Sequence, residues 1–172
     1  MNWTNLVTEL IDFRSFSNLW FWIALAVLWS TSSHWVLGVP YDLIQRAYRE
    51  DGQPMQDFRD ILRVNVNRIL YIARRSGLVM SGFVCFVLTS LGLMAFYYDV
   101  EFAQACFLLV LPMSIVGLLT INTAKLVEAE GMERETIFRR LRIHRVSVQF
   151  IGMLSIFVTA IFGMYQNLVL MY

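Results

Sequence analysis

An all-α membrane fold is predicted, a four-helix transmembrane bundle with amphipathic N-terminal and cytoplasmic helices. Three observations carry that expectation. Of the 172 residues, 58% are hydrophobic and only 16% are charged, where a soluble domain carries about a quarter charged residues. Four stretches, 18–39, 77–98, 102–123 and 147–166, contain no Asp, Glu, Lys or Arg, and each has roughly the 20 residues that cross a bilayer's hydrocarbon core. The 14 basic residues, Lys125 and otherwise arginine, fall almost entirely in two blocks, 39–76 and 124–146, with Arg14 outside them.

Backbone polar groups in lipid must bond within their own segment, so the four stretches read as helices. They are too long and unbroken for barrel strands. The two arginine-rich connections belong in the cytoplasm by the positive-inside rule. The acidic link Asp99-Val100-Glu101 and both termini then face outward, and residues 1–172 form a single integral membrane domain. Trp20, Trp22, Tyr97, Tyr98, Phe102 and Tyr165 make an outer aromatic belt, and Trp35, Tyr41 and Tyr71 lie near the inner interface.

The elements follow in chain order. Residues 1–16 place Trp3, Leu6, Leu10 and Phe13 at helical spacing, an amphipathic helix on the outer surface. Leu19–Trp29 has the length of a signal-peptide core, and Ser30–Ser33 resembles a cleavage site. The preceding segment holds two acids against Arg14, so the positive n-region is missing and the stretch reads as a retained span. In the first connection Pro40, Asp51-Gly52 and Pro54 bound a short helix over 41–50. Beyond them Met55, Phe58, Leu62, Val66, Ile69 and Ala73 form an apolar stripe on a helix that runs into the second span. That stripe requires the membrane surface, the other connection or a partner to cover it.

Gly77, Ser81 and Cys85 in the second span, and Gly152, Thr159 and Gly163 in the fourth, mark close helix approach. Pro112 should kink the third span. In the second connection Gly131 divides a helical hairpin, Glu135 and Arg139 are spaced to pair, and Glu128, Glu130, Glu133 and Glu135 make its tip acidic. That tip is a solvated charged end or a docking surface. A shift of 70 residues superposes Gly82 on Gly152, Thr89 on Thr159, Met94 on Met164 and Arg75 on Arg145, the pattern two parallel repeats would leave.

Chemistry is sparse. His34 and His144 are the weak candidates for haem or metal ligation, and no carboxylate or cysteine supports them. Cys85 and Cys106 fall at different membrane depths and are not expected to pair. No nucleophile elbow, phosphate loop, HExxH or intramembrane charge is present. These features point away from an enzyme and from any resident cofactor or metal. The basic blocks lack the interleaved aromatics of a nucleic-acid surface. Arg63, Arg68, Arg74, Arg75, Arg139, Arg140, Arg142 and Arg145, with Asn65 and Asn67, are candidates for contact with lipid headgroups or a partner.

The stretches IDFRSFSNLWFWIALAVLWSTSSHWVLGVPYD (11–42), VNVNRILYIARR (64–75) and SIFVTAIFGMYQN (155–167) resemble a family of small bacterial four-span inner-membrane proteins. Some members are labelled as a component of a SufBCD complex, and the resemblance extends over nearly the whole chain. It implies a bacterial inner membrane, and the label implies iron–sulfur assembly. The chain has no cysteine or ATPase motif for that work, and no site residue follows from the resemblance. The sequence therefore favours a non-catalytic accessory or scaffold subunit, bound to lipid and to a larger membrane complex or to itself. The alternatives are an oligomeric pore lined by Ser30, Thr31, Thr89, Thr120, Asn122 or Thr159 and, more faintly, a haem-binding redox protein.

Overall fold

The computed structural model describes residue 16, residues 19–131 and residues 133–169. The amphipathic helix expected over residues 1–16 lies outside them, apart from Phe16. The described chain is all-α save for one small hairpin. Helix α1 (Leu19–His34) leads into strands β1 (Trp35–Val36) and β2 (Val39–Pro40). Helices α2 (Tyr41–Arg49), α3 (Gln53–Phe96), α4 (Glu101–Glu130) and α5 (Arg134–Val169) follow. Five helices are described where four spans were expected, and three of them, α3, α4 and α5, are long and apolar enough to cross a membrane.

The first expected span differs in a specific way. Its helix stops at His34, and the rest of the stretch to Val39 turns back on itself, pairing Trp35 with Pro40 and Val36 with Val39. Leu37 and Gly38 form the turn with φ of 51° and 75°, the two positive values that a two-residue hairpin of matched twist requires. Leu37 has a side chain to oppose that geometry, and its burial against Val36 and Val39 in the same cluster offsets the strain. Asn65 of α3 donates to the Gly38 carbonyl at 3.0 Å, which pins the turn to the long helix.

Helix α3 has 44 residues, a length of about 66 Å at 1.5 Å per residue, roughly twice the hydrocarbon thickness. Its first half therefore belongs to a different tier from its second. In the first half Met55, Phe58, Leu62, Val66 and Leu70 are buried. Ile69, which the sequence placed on that stripe, is half-buried and packs against the same cluster beside Leu70. The cover for the stripe is the rest of the charged end of the molecule, called the water-side tier after its exposed ion pairs. Val36, Val39, Ile44 and Ala47 pack on it from one side, and Ala124, Val127, Ile137, Phe138 and Leu141 from the other. Phe58 stacks on Phe138 with centroids 5.2 Å apart. Of the three covers the sequence left open, the chain itself supplies one.

The apolar tier has a second cluster, in which Leu25 and Trp29 of α1 meet Val116 of α4 and Val148 of α5. Small residues act here as expected on α5. A β-carbon on Gly152 would lie 2.7 Å from Trp29 Cε3, and one on Gly163 would lie 3.1 Å from Phe16 Cδ1. The corresponding marks on α3 behave differently. Ser81 and Cys85 are exposed, and a β-carbon on Gly77 or Gly82 would meet nothing within 4 Å. Gly82 and Gly152, superposed by the 70-residue shift, thus have unlike surroundings. Helix α4 continues through Pro112 as one element.

At the far end Gln104, 2% exposed, ties three elements together. Its amide nitrogen donates to the Ala95 carbonyl at 2.9 Å and to Asp99 Oδ1 at 2.8 Å. Its carbonyl oxygen accepts from Gln166. Glu101 accepts from the Phe16 amide at 2.9 Å in the same region. At the opposite end Gly131 turns α4 into α5 with φ of 77°, as its position in the sequence predicted.

Candidate functional site

Polar side chains gather where α3 passes from its water-side half to its apolar half. Asn67, Leu70, Tyr71, Arg74 and Arg75 recur at helical spacing along one side of α3. With Glu128 of α4 they line a recess of about 510 Å³. Leu70 is buried in the water-side core and forms its floor. Tyr71, Arg74 and Arg75 are exposed at its mouth. The uncharged run that begins at Gly77 starts two residues beyond Arg75.

The electrostatics of the recess are simple. Arg74 Nη2 donates to Glu128 Oε2 at 2.5 Å. Among the described residues Arg75 has no acidic partner. Two guanidinium groups against one carboxylate leave the lining with one net positive charge. Both partners of the Arg74–Glu128 pair are well exposed, so its contribution to stability is small. Its effect is to orient one guanidinium.

The remaining arginines singled out from the sequence are dispersed. Arg63 pairs with Asp60 at 3.1 Å within one helical turn. Arg68, Arg139 and Arg142 point to solvent. Arg140 grips Glu130 with two donors, Nε reaching Oε2 at 2.8 Å. The hydrogen bond holds the Glu130 carboxyl below its usual range and Arg140 above its own. The expected pairing of Glu135 with Arg139 is not formed, and both side chains are exposed. Arg134 donates to Asp51 and, at 3.0 Å, to the Tyr48 carbonyl, closing α2 against α5. Arg145 lies over the Tyr41 ring, 3.3 Å from its centroid, a cation–π contact that sequence spacing had no means of revealing.

The two histidines have separate settings. His34 is exposed, its ring edge-on to Trp35 with centroids 5.9 Å apart. His144 is buried, with Nδ1 3.0 Å from Thr123 Oγ1. The Thr123 hydroxyl donates its single proton to the Leu119 carbonyl at 2.9 Å. It must therefore accept from His144, which places the imidazole proton on Nδ1. Burial pushes the His144 pKa down. Among the described residues no group of three or more His, Cys, Asp or Glu is placed to hold a metal ion. Cys85 and Cys106 are free.

A second recess, of about 210 Å³, opens between α4 and α5 beside Pro112, Phe150 and Leu154. Its lining is apolar apart from Ser155, whose hydroxyl is buried without a hydrogen-bond partner. It offers shape and little chemistry. The basic recess is the better candidate of the two, because it combines concavity with convergent charged and neutral donors. No family model, curated protein or solved structure matches the chain.

Proposed function

We propose that the chain is a non-catalytic, multi-pass accessory subunit of a larger assembly in a bacterial inner membrane. The arginine-rich connections lie in the cytoplasm and both ends in the periplasm. The observation that carries this reading is the uncovered flank of α3. In the most apolar window of α3 only 6% of the residues are buried, against 28% in α4 and in α5. Val79, Phe83 and Phe86 are exposed along one strip of that flank. Nothing in the described chain covers that strip, and packing against another helix is how such a face is covered when helices associate in lipid.

Other features support the same reading. The water-side tier is a packed core and not a loose pair of loops, so it presents a rigid second surface to a partner. The asymmetry of the arginines and the resemblance of the sequence to small inner-membrane proteins favour the bacterial location. The oligomeric pore gains little. Thr89 and Thr120 donate to carbonyls of their own helices at 2.8 Å, and Thr159 is fully buried, so these hydroxyls share no common lining.

The test places a photoreactive side chain at Phe83 or Phe86, with Phe157 on exposed α5 as the control. The reading expects a protein adduct of one fixed mass from the α3 positions and lipid adducts from Phe157. Lipid adducts alone at every position, together with recovery as a lone monomer after gentle extraction, would defeat it.

A further inference from the structure

We infer that the recess formed by Asn67, Tyr71, Arg74, Arg75 and Glu128 binds the phosphodiester of an anionic membrane lipid, whose acyl chains run along α3 beyond it. The inference rests on the membrane reading above and adds a ligand, a stoichiometry and a site to it.

Depth is the first argument. Arg75 stands two residues before the uncharged run that starts at Gly77, about 3 Å along a helix axis. The guanidinium groups therefore sit at the level of lipid phosphates, where basic recesses between spanning helices take up anionic headgroups. Tyr71, exposed one turn below, has the ring and hydroxyl suited to that interface.

Charge is the second. The lining carries one net positive charge, the complement of a singly charged diester. Glu128 occupies one nitrogen of Arg74 and holds the group in place. A guanidinium has five N–H donors, so most of those on Arg74 remain for a ligand. Arg75 brings a second, unengaged fork. The Asn67 amide and Tyr71 hydroxyl add neutral donors on the same side. Planar forks of this kind match phosphate oxygens in pairs.

The third argument is the path above the recess. Leu78 follows Arg74 by four residues and is 89% exposed. Gly82 and Cys85 continue the same helical row, both exposed, and beyond its chain neighbours and the adjacent backbone of its own helix nothing described lies within 4 Å of where a Gly82 β-carbon would be. This row is smooth and apolar, as an acyl chain requires. It is angularly distinct from the strip of Val79, Phe83 and Phe86. Of the other arginines singled out above, Arg63 and Arg140 are paired within the chain, Arg145 lies on Tyr41, and Arg68, Arg139 and Arg142 are exposed outside the recess.

The test uses the full chain, purified in a neutral detergent, stripped of lipid and examined by native mass spectrometry. Phosphatidylglycerol, phosphatidylethanolamine, phosphatidylcholine and inorganic phosphate are offered in turn. The expected result is a one-to-one adduct with phosphatidylglycerol that survives activation, and weaker adducts with the other two lipids. Arg75→Gln should weaken it about tenfold, the worth of a lost charge-assisted hydrogen bond. Arg142→Gln, at an exposed position outside the recess, should leave it unchanged. Among the described residues Arg75 has no partner, so the unfolding midpoint of Arg75→Gln without lipid should equal that of the parent.

Equal loss in Arg142→Gln would overturn the site in favour of diffuse attraction. Equal retention of phosphatidylethanolamine would overturn the anionic preference. Displacement of the lipid by inorganic phosphate would show a site for free phosphate. A chain that stays integral to the membrane yet forms no adduct sinks this inference alone. A chain that dissolves without detergent sinks the membrane reading as well.

Discussion

Gly152 and Gly82 show how one residue type acquires meaning from what stands opposite it. Trp29 lies so close over Gly152 that an added methyl group would be 2.7 Å from its ring. Overpacking of this kind costs about 1–3 kcal/mol. Gly152→Ala should therefore lower the thermal unfolding midpoint in detergent, while Gly82→Ala, which faces open space in the isolated chain, should leave it level or raise it slightly. His144 supplies a second residue-scale expectation. Its pKa is lowered by burial from 6.5, so the folded state binds fewer protons than the unfolded state between the folded and unfolded pKa values. Stability is then complete above the ordinary imidazole range and falls as pH drops through it toward the lower folded pKa. Unfolding midpoints followed from about pH 7.5 down to the acid side of the imidazole range should show this fall, and His144→Gln should flatten it.

Among the elements α3 is decisive, because a single helix carries two halves of unlike composition. Its first half is amphipathic and its second is apolar all round, and the join at Arg74, Arg75 and Gly77 is where the candidate site forms. The first half is held by Phe58, buried completely and stacked on Phe138. Phe58→Ala should cost about 3–5 kcal/mol. The loss should appear locally, as faster tryptic cleavage of the detergent-solubilised chain at Arg59 and Arg63, with α4 and α5 still protected. Helix α1 makes the opposite point. It ends at His34 because Leu37, Gly38 and Pro40 turn the chain into a hairpin whose apolar residues join the water-side core.

For the whole molecule the organising feature is a division into two packed tiers joined by continuous helices. The water-side tier collects both arginine-rich connections into one core, and ion pairs such as Arg140–Glu130 and Arg134–Asp51 close its rim. If that tier is cytoplasmic, cysteines introduced at Asp60 and Glu135, with Cys85 and Cys106 replaced by serine, should react with an impermeant maleimide only after the inner membrane is opened. One introduced at Asp99 should react in spheroplasts without that step. Labelling of the first two from outside would invert the topology.

Much of this was legible in the linear chain. Helical class, three of the four expected long apolar helices, the run of the second apolar stretch into an amphipathic helix and the break at Gly131 all follow from hydropathy, period and turn chemistry, which are local properties. The sequence also named Arg74 and Arg75, yet it gave them no rank over Arg63, Arg139 or Arg142, since a charge looks alike wherever it stands on a helix. Tertiary structure decided the rest. It chose the cover for the Met55–Leu70 stripe, set Arg145 on Tyr41 and His144 on Thr123, and filled the face of Gly152 while leaving that of Gly82 open. It also brought Glu128 across to Arg74. These contacts join residues far apart in the chain, and their free energy depends on which surfaces meet, a quantity that no single segment contains.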